Sequence, residues 1–480
     1  MKINIVKNLL FIDIALGLIV LYLIFFNYSH LILLISDNYL PVWSDEYFYF
    51  INADSYIQNN TLQAALTYSG KGSVIFSSDA HGFAYSLLHG IVAYFFDWTN
   101  LSFIYLNFAL IVVAILLISF LKPLTISQKI WISCLILLYP FFQLYGFTYM
   151  QESIHVFIAI VLSILLYKLY EKEENSLYVW LFIGVIFIGS FFRSLWFFWL
   201  IGLIPLADSK REYKKYGIIF FLGVLLSFLF TKMFTESIPN YFSSLLVLLE
   251  NGDVWGFLVS LVTHFFENIK FYFSIKNFNS VYDTIKYINI GVVFYFVFDA
   301  IKNKNRLSKA ISLIGAVNFL LLFFLYDAFG GREIRTMSPL FYFSIIFIVT
   351  GVKNYLRYPI IASVFVLFVL NLDTTKEWIL ERNRINLNSS QNLHRKAAFD
   401  QIAKELKESS TILLNYTPRD YSLDLFGLPL KTSNGAPIRY IVPYYQVEIG
   451  DYDYHIIRPN RAGINNKIID NRYYILSKKK

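Results

Sequence analysis

Long apolar runs alternate with short polar connections through the first 372 residues of this chain. A helix needs roughly 20 apolar residues to cross a hydrocarbon core, and about eleven runs approach that length. The pattern predicts spans at 9–35, 101–121, 130–150, 153–169, 177–192, 194–207, 216–234, 284–301, 310–327, 338–352 and 358–372. The two halves of 177–207 are short, and Arg193 divides them. Residues 81–96, HGFAYSLLHGIVAYFF, are apolar but too short for an ordinary span and hold two histidines. They predict an interfacial or re-entrant helix on the outer side, with a true span as the alternative. Residues 241–275 predict amphipathic helices lying on one leaflet, or a hairpin that returns to the same side. Lys2 and Lys7 precede the first run, which continues past Phe26 without a small-residue cleavage site, so an uncleaved span is expected.

After Asn371 the pattern changes. SQNLHRKAAFDQIAKELKES has helical periodicity, and TILLNY, RYIVPYY and RYYILS have the β-branched and aromatic content of strands. The expected architecture is therefore an all-α polytopic membrane protein over residues 1–372 with a small α/β domain over 373–480.

Composition supports this division. The chain is 57% hydrophobic and 15% charged, more apolar surface than a soluble fold can hide. Its one cysteine, Cys134, excludes internal disulfides, four-cysteine zinc sites and CxxC redox chemistry. The net charge of +8 lies largely in short connections and in the C-terminal stretch, which fits membrane orientation and does not call for nucleic acid. Lys122 and Lys129, Lys168 and Lys172, Lys210 to Lys215, Lys302 to Lys309, and Lys353 and Arg357 all fall in connections of one side. The first large loop, 36–100, has Lys71 as its lone basic residue beside Asp37, Asp45, Glu46, Asp54, Asp79 and Asp97. That asymmetry puts the N-terminus inside, and the first loop and C-terminal domain outside.

With this threading the unusual charges gather at outer turns. Asp45 and Glu46 follow the first run, in PVWSDEYFYF; Glu152 lies in YGFTYMQESIH, Arg193 in GSFFRSLWFF, and Arg332 and Arg335 in YDAFGGREIRTMSP. Charges at membrane depth are costly and usually mark function. Each also has a plainer reading: the acids as solvated loop residues or a helix cap, the arginines as headgroup anchors. His81, His89 and His264 read more simply as hydrogen-bonded or interfacial histidines than as metal ligands.

The order and sidedness of these residues resemble the polytopic C-type (GT-C) glycosyltransferases, the superfamily of protein O-mannosyltransferases and lipid A aminoarabinose transferases. The resemblance covers roughly residues 1–372, and its most specific part is the Asp45-Glu46 pair opening the first outer loop. His81-Gly82-Phe83 departs from the proline-rich run that many members carry there. The resemblance implies transfer of a sugar from a polyprenyl-phosphate-linked donor to a hydroxyl of a lipid, glycan or protein acceptor. The expected setting is the extracytoplasmic face of a bacterial plasma membrane. Asp45 is the expected base, with Glu46 positioning it; Arg332, Arg335 and Arg193 are expected on the donor phosphate, supported by Glu152, His81 and Lys71. A divalent cation is permitted, with Glu46 and His81 as candidate ligands, but not required. The alternatives are an O-antigen-type polymerase or ligase and a lipid or polysaccharide transporter. The first usually places its large loop late, and the second usually shows internal repeats.

Overall fold

The computed structural model describes most of residues 41–479, together with a few helical positions between Phe11 and Tyr22. Segments within 23–40, 69–81, 97–100, 172–175, 235–240, 275–280, 326–332, 374–389, 415–427, 443–448 and 458–465 fall outside the described residues. Lys71, His81 and Arg332 are among these, as is most of the first expected span.

The chain before residue 373 is a series of helices, most of them apolar: α1 (Ser44–Asn59), α2 (Ala84–Phe96), α3 (Ser102–Leu117), α4 (Ile126–Leu138), α5 (Pro140–Tyr145) and α6 (Glu152–Tyr170) come first. They are followed by α7 (Ser176–Phe192), a 3-10 helix (Ser194–Leu206), α8 (Lys210–Phe234), α9 (Tyr241–Glu250) and α10 (Val254–Phe273). Then come α11 (Val281–Lys302), α12 (Arg306–Leu325), a short 3-10 turn (Glu333–Met337), α13 (Ser338–Gly351) and α14 (Asn354–Leu370). Among the described residues, four helices are long and apolar enough to cross a membrane: Ser102–Phe120, Glu152–Tyr170, Lys210–Phe234 and Arg306–Leu325. These four coincide with four of the eleven expected spans.

Two departures from the expected spans, at 130–150 and 194–207, have physical causes, and 241–275 holds the two helices that its pattern allows. The 130–150 run is not one helix, because Pro140 cannot continue α4, and the chain turns at Tyr139 into α5. The 194–206 run is a 3-10 helix, whose rise of about 2.0 Å per residue carries this short stretch farther than an α-helix would. Within 241–275, the turn at Asn251–Asp253 joins α9 to α10, and Asp253 caps α10 by accepting from the Gly256 amide at 2.8 Å.

Several of these helices are built inside out. On α8, Ile218, Phe221, Leu225 and Phe228 are exposed, whereas Gly223 and Ser227 are buried. A Cβ on Gly223 would come within 2.5 Å of Leu200, so the small residue is what lets α8 approach the 3-10 helix. On α10, Trp255, Val259, Val262 and Phe266 face outward while His264, Asn268 and Tyr272 face α12. Asn268 donates to the Phe323 carbonyl at 2.9 Å. Apolar surface outward and hydrogen-bonded polar groups inward suit lipid as solvent, and the chain is an integral membrane protein.

The C-terminal part carries α15 (Ser390–Glu405), with strands β2 (Ser410–Leu414), β3 (Ile438–Ile441), β4 (Tyr454–Ile457), β5 (Lys467–Asp470) and β6 (Ile475–Lys478). Phe399 and Ile402 of α15 pack inward, and Phe399 stacks on Tyr474 with ring centroids 4.7 Å apart. The sheet order is β1-β3-β2-β4-β6-β5, parallel through β4 and antiparallel beyond. Its first strand is not C-terminal at all: β1 (Leu66–Thr67) comes from the first loop.

Candidate active site

The two adjacent acids of the first loop open a helix, so their side chains diverge. α1 begins at Ser44, and both Asp45 and Glu46 lie in its first turn, where the unpaired amides favour negative charge. Successive helical residues are rotated by about 100°, which sends the two carboxylates to different neighbours.

Glu46 is fully buried. Its Oε2 accepts from the Trp43 amide at 3.1 Å and its Oε1 from the Tyr149 amide at 2.8 Å. It therefore closes the start of α1 and ties that start to the turn before α6. The same turn is gripped twice more. Asn107 of α3 donates to the Thr148 carbonyl at 2.8 Å, and the Tyr85 hydroxyl of α2 donates to the Met150 carbonyl at 2.7 Å.

Asp45 faces the other way. Its Oδ2 accepts from Arg335 Nη2 at 2.9 Å, and Arg335 Nε stands 3.5 Å from Glu152 Oε1. One guanidinium on the turn before α13 thus bridges carboxylates at the starts of α1 and α6. Burial works against the Arg335 charge, but Glu152 and Asp45 outweigh it and hold the group well above its ordinary pKa. The Glu152 side chain is only 3% exposed, and both of its oxygens lack a hydrogen bond among the described residues. Tyr49, one turn after Asp45, is buried beside the cluster. Burial, and then the Asp45 and Glu152 charges, push its phenol well above the usual range, so it stays protonated.

His155, which sequence reasoning passed over, lies one turn along α6 from Glu152. It is buried, and its Nδ1 accepts from Trp196 Nε1 at 3.0 Å. That bond fixes the neutral tautomer with its proton on Nε2, and Nε2 is buried without a partner among the described residues. The i, i+3 spacing of Glu152 and His155 on an apolar helix was the available signal. Arg193 follows α7 in extended conformation and directly precedes the 3-10 helix. It lines a cleft with Trp196, Trp199, Asn318, Met337 and Pro339, next to Arg335 in the chain.

The fold therefore brings Asp45, Glu152 and Arg335 into one ion cluster, and Arg193 lines a cleft with Thr336 and Met337, the residues that follow Arg335. Glu46 lies behind the cluster, as a cap. His89 is buried in α2, stacked on Phe103 at 3.6 Å, and burial holds it well below its ordinary pKa. His264 pairs with Asn268 at 2.9 Å, away from these groups. Lys71, His81 and Arg332 lie outside the described residues.

The described residues, His81 not among them, offer no assembled cation site. No three His, Cys, Asp or Glu side chains converge on a point among the described residues. Asp45 and Glu152 surround a guanidinium, and Glu46 has both oxygens on backbone amides.

No protein-family model matches this chain, and no curated protein matches it. Among solved structures it is similar to the Archaeoglobus fulgidus oligosaccharyltransferase, a GT-C class enzyme. Against that enzyme's complex with zinc and sulfate the TM-score is 0.48 at 12% identity, covering 85% of this chain and 59% of that one. Against its apo form the values are 0.48, 10%, 88% and 66%. Against archaeal AglB with an inhibitory peptide and a dolichol-phosphate they are 0.45, 11%, 83% and 60%. The chain spans less than two thirds of the length of these structures. Likeness of this degree assigns neither an activity nor a substrate to the chain.

Proposed function

We propose that the chain is a membrane glycosyltransferase that moves a sugar from a polyprenyl-phosphate-linked donor to an acceptor hydroxyl on the extracytoplasmic face. One observation carries the reading: a partly buried Asp45–Arg335–Glu152 cluster, assembled from three distant turns of an otherwise apolar membrane protein. A cluster made only for stability is a poor use of charge, because desolvation offsets most of what pairing returns.

In this reaction Asp45, the more exposed of the two cluster acids, accepts the proton of the attacking hydroxyl. Arg335 turns its fork toward the departing phosphate, with Arg332 beside it in the chain and Arg193 at the cleft margin. The fixed Nε2–H of His155 adds a neutral donor to the same anion. Glu152 holds the guanidinium in place, and Trp196 and Trp199, with ring centroids 4.5 Å apart, offer an aromatic wall to a sugar. The Lys and Arg asymmetry of the loops supports the outer placement.

Purified protein incubated with radiolabelled polyprenyl-phosphate-linked sugars and a set of lipid, glycan and peptide acceptors should release free lipid phosphate and label an acceptor. Absence of both, with the protein folded, overturns the reading.

A further inference from the structure

The first loop lends a strand to the C-terminal sheet, and that strand is held from both sides. Toward the sheet, Tyr440 N donates to Ala65 O at 2.6 Å and Val442 N donates to Thr67 O at 2.9 Å. Leu66 and Thr67 stand in parallel register with Tyr440 and Ile441. Away from the sheet, the Asn52 side chain takes the place of a neighbouring strand. Its Oδ1 accepts from Leu66 N at 2.8 Å, and its Nδ2 donates to Leu66 O at 3.1 Å. Asn52, Leu66, Tyr440 and Val442 are all buried. A buried amide whose donor and acceptor both meet one strand residue is a specific, geometrically demanding contact.

Asn52 lies on α1, seven residues after Asp45. Two helical turns separate them, so both face nearly the same way, on a rigid element about 10 Å apart along the axis. The path runs from β3 through β1 and Asn52 to the turn that carries Asp45.

We propose that the C-terminal sheet positions Asp45, with Asn52 as the positioning residue that couples the added strand to α1. Asn52 touches no reacting atom; it sets where the carboxylate sits relative to Arg335. The catalytic half of this inference rests on Asp45 being the base, as proposed above, whereas the mechanical half does not.

The test uses the full chain in detergent or nanodiscs and cuts the path at two places. Asn52→Ala removes both side-chain bonds while leaving a good helix former in α1. Val442→Pro removes the amide that reaches Thr67, beyond the last residue of β3 that pairs with β2. Asn52→Asp keeps the acceptor for Leu66 N–H and loses the donor. Hydrogen–deuterium exchange is read at 44–50, 64–68 and 438–442, with β4 and β6 as the folding control. Both cuts should speed exchange at 44–50 by about tenfold or more while β4 and β6 stay protected, with Asn52→Asp in between. In the transfer assay with a short-chain polyprenyl-phosphate-linked sugar, both should lower kcat by about 10-fold or more and leave KM for the donor within about twofold. Faster exchange at 64–68 and 438–442 with 44–50 unchanged overturns the coupling. Faster exchange at 44–50 with kcat unchanged overturns the positioning role. If wild-type protein transfers no sugar, the exchange result still decides the coupling, so failure of the glycosyltransferase reading is seen separately. Should Asn52→Ala also expose β4 and β6, Val442→Pro and Asn52→Asp carry the decision.

Discussion

Arg335 Nη2 donates to Asp45 Oδ2 across 2.9 Å, closing a contact between residues 290 positions apart. The same guanidinium stands 3.5 Å from Glu152, so one cation balances two acids that would otherwise repel. Arg335→Gln should leave both carboxylates without their counter-charge, at a cost of about 3–5 kcal/mol for a buried pair broken on one side. Arg335→Lys should recover part of the stability, because a point charge cannot address two carboxylates as a fork does. Adding Asp45→Asn to Arg335→Gln should cost less than the sum of the two single changes, since the pair is coupled. Thermal melts in one detergent decide this. An Arg335→Gln melt at the wild-type temperature would show that the arginine is only a ligand contact.

Sidedness can be read with thiols. In a Cys134→Ser background, Asp451→Cys lies on a fully exposed side chain of the C-terminal domain, and Ser209→Cys lies in the exposed basic turn before α8. An impermeant maleimide applied to intact cells should label the first and spare the second. The reverse pattern would put the Asp45 cluster on the cytoplasmic side and remove the proposed donor's access to it.

Much of the candidate site's ion cluster was legible because charge is scarce in this chain. Asp45, Glu152 and Arg335 stand out as acids and a cation at turns between apolar runs, and the fold brings those three together. The burial of Glu46 as a cap on two backbone amides, with Asp45 turned to Arg335, was not legible. It depends on a helix starting at Ser44, and the aromatic run after it suits strand and helix alike. The β1 strand is two residues long, below any length at which periodicity shows. The 3-10 geometry of 194–206 has no local signature, since an α-helix of the same apolar residues reads identically. His155 was hidden by its setting. A histidine in a long apolar helix reads as core, and only the Trp196 bond shows that one nitrogen is committed while the other has no partner among the described residues.

His89 gives a pH dependence with a definite sign. Burial among Phe103 and Tyr85 lowers its pKa, so the folded state holds it neutral while the unfolded state still binds a proton near pH 6.5. A depressed base contributes stability that is fully present above the unfolded pKa and is lost as pH falls below it. The limiting slope is about 1.4 kcal/mol per pH unit for one proton. His89→Phe keeps the stacking shape and removes the proton site. The difference between wild-type and His89→Phe melting temperatures should therefore shrink or reverse from pH 7.5 to pH 5. Parallel pH curves for the two proteins would show that His89 does not titrate on unfolding.

Two neighbouring acids in one helical turn should fail in different ways when neutralised. Asp45→Asn keeps the shape and one acceptor toward Arg335 but removes the charge that would take a proton. Turnover with a polyprenyl-phosphate-linked sugar should fall by about 100-fold or more. The melt should move by a smaller amount, since Asp45 is partly exposed and Glu152 remains beside the guanidinium. Glu46→Gln presents an NH2 group to one of two backbone amides that both need an acceptor. One buried N–H then faces a donor, at a cost of about 1–3 kcal/mol that the melt reports directly. Molecules that remain folded should keep most of their turnover, because the Glu46 carboxylate accepts from the Trp43 and Tyr149 amides ahead of α1 and α6. The two substitutions thus separate chemistry from architecture. If Glu46→Gln abolishes turnover without shifting the melt, or Asp45→Asn unfolds the protein while the survivors stay active, the two roles are exchanged and the cap is the catalytic group.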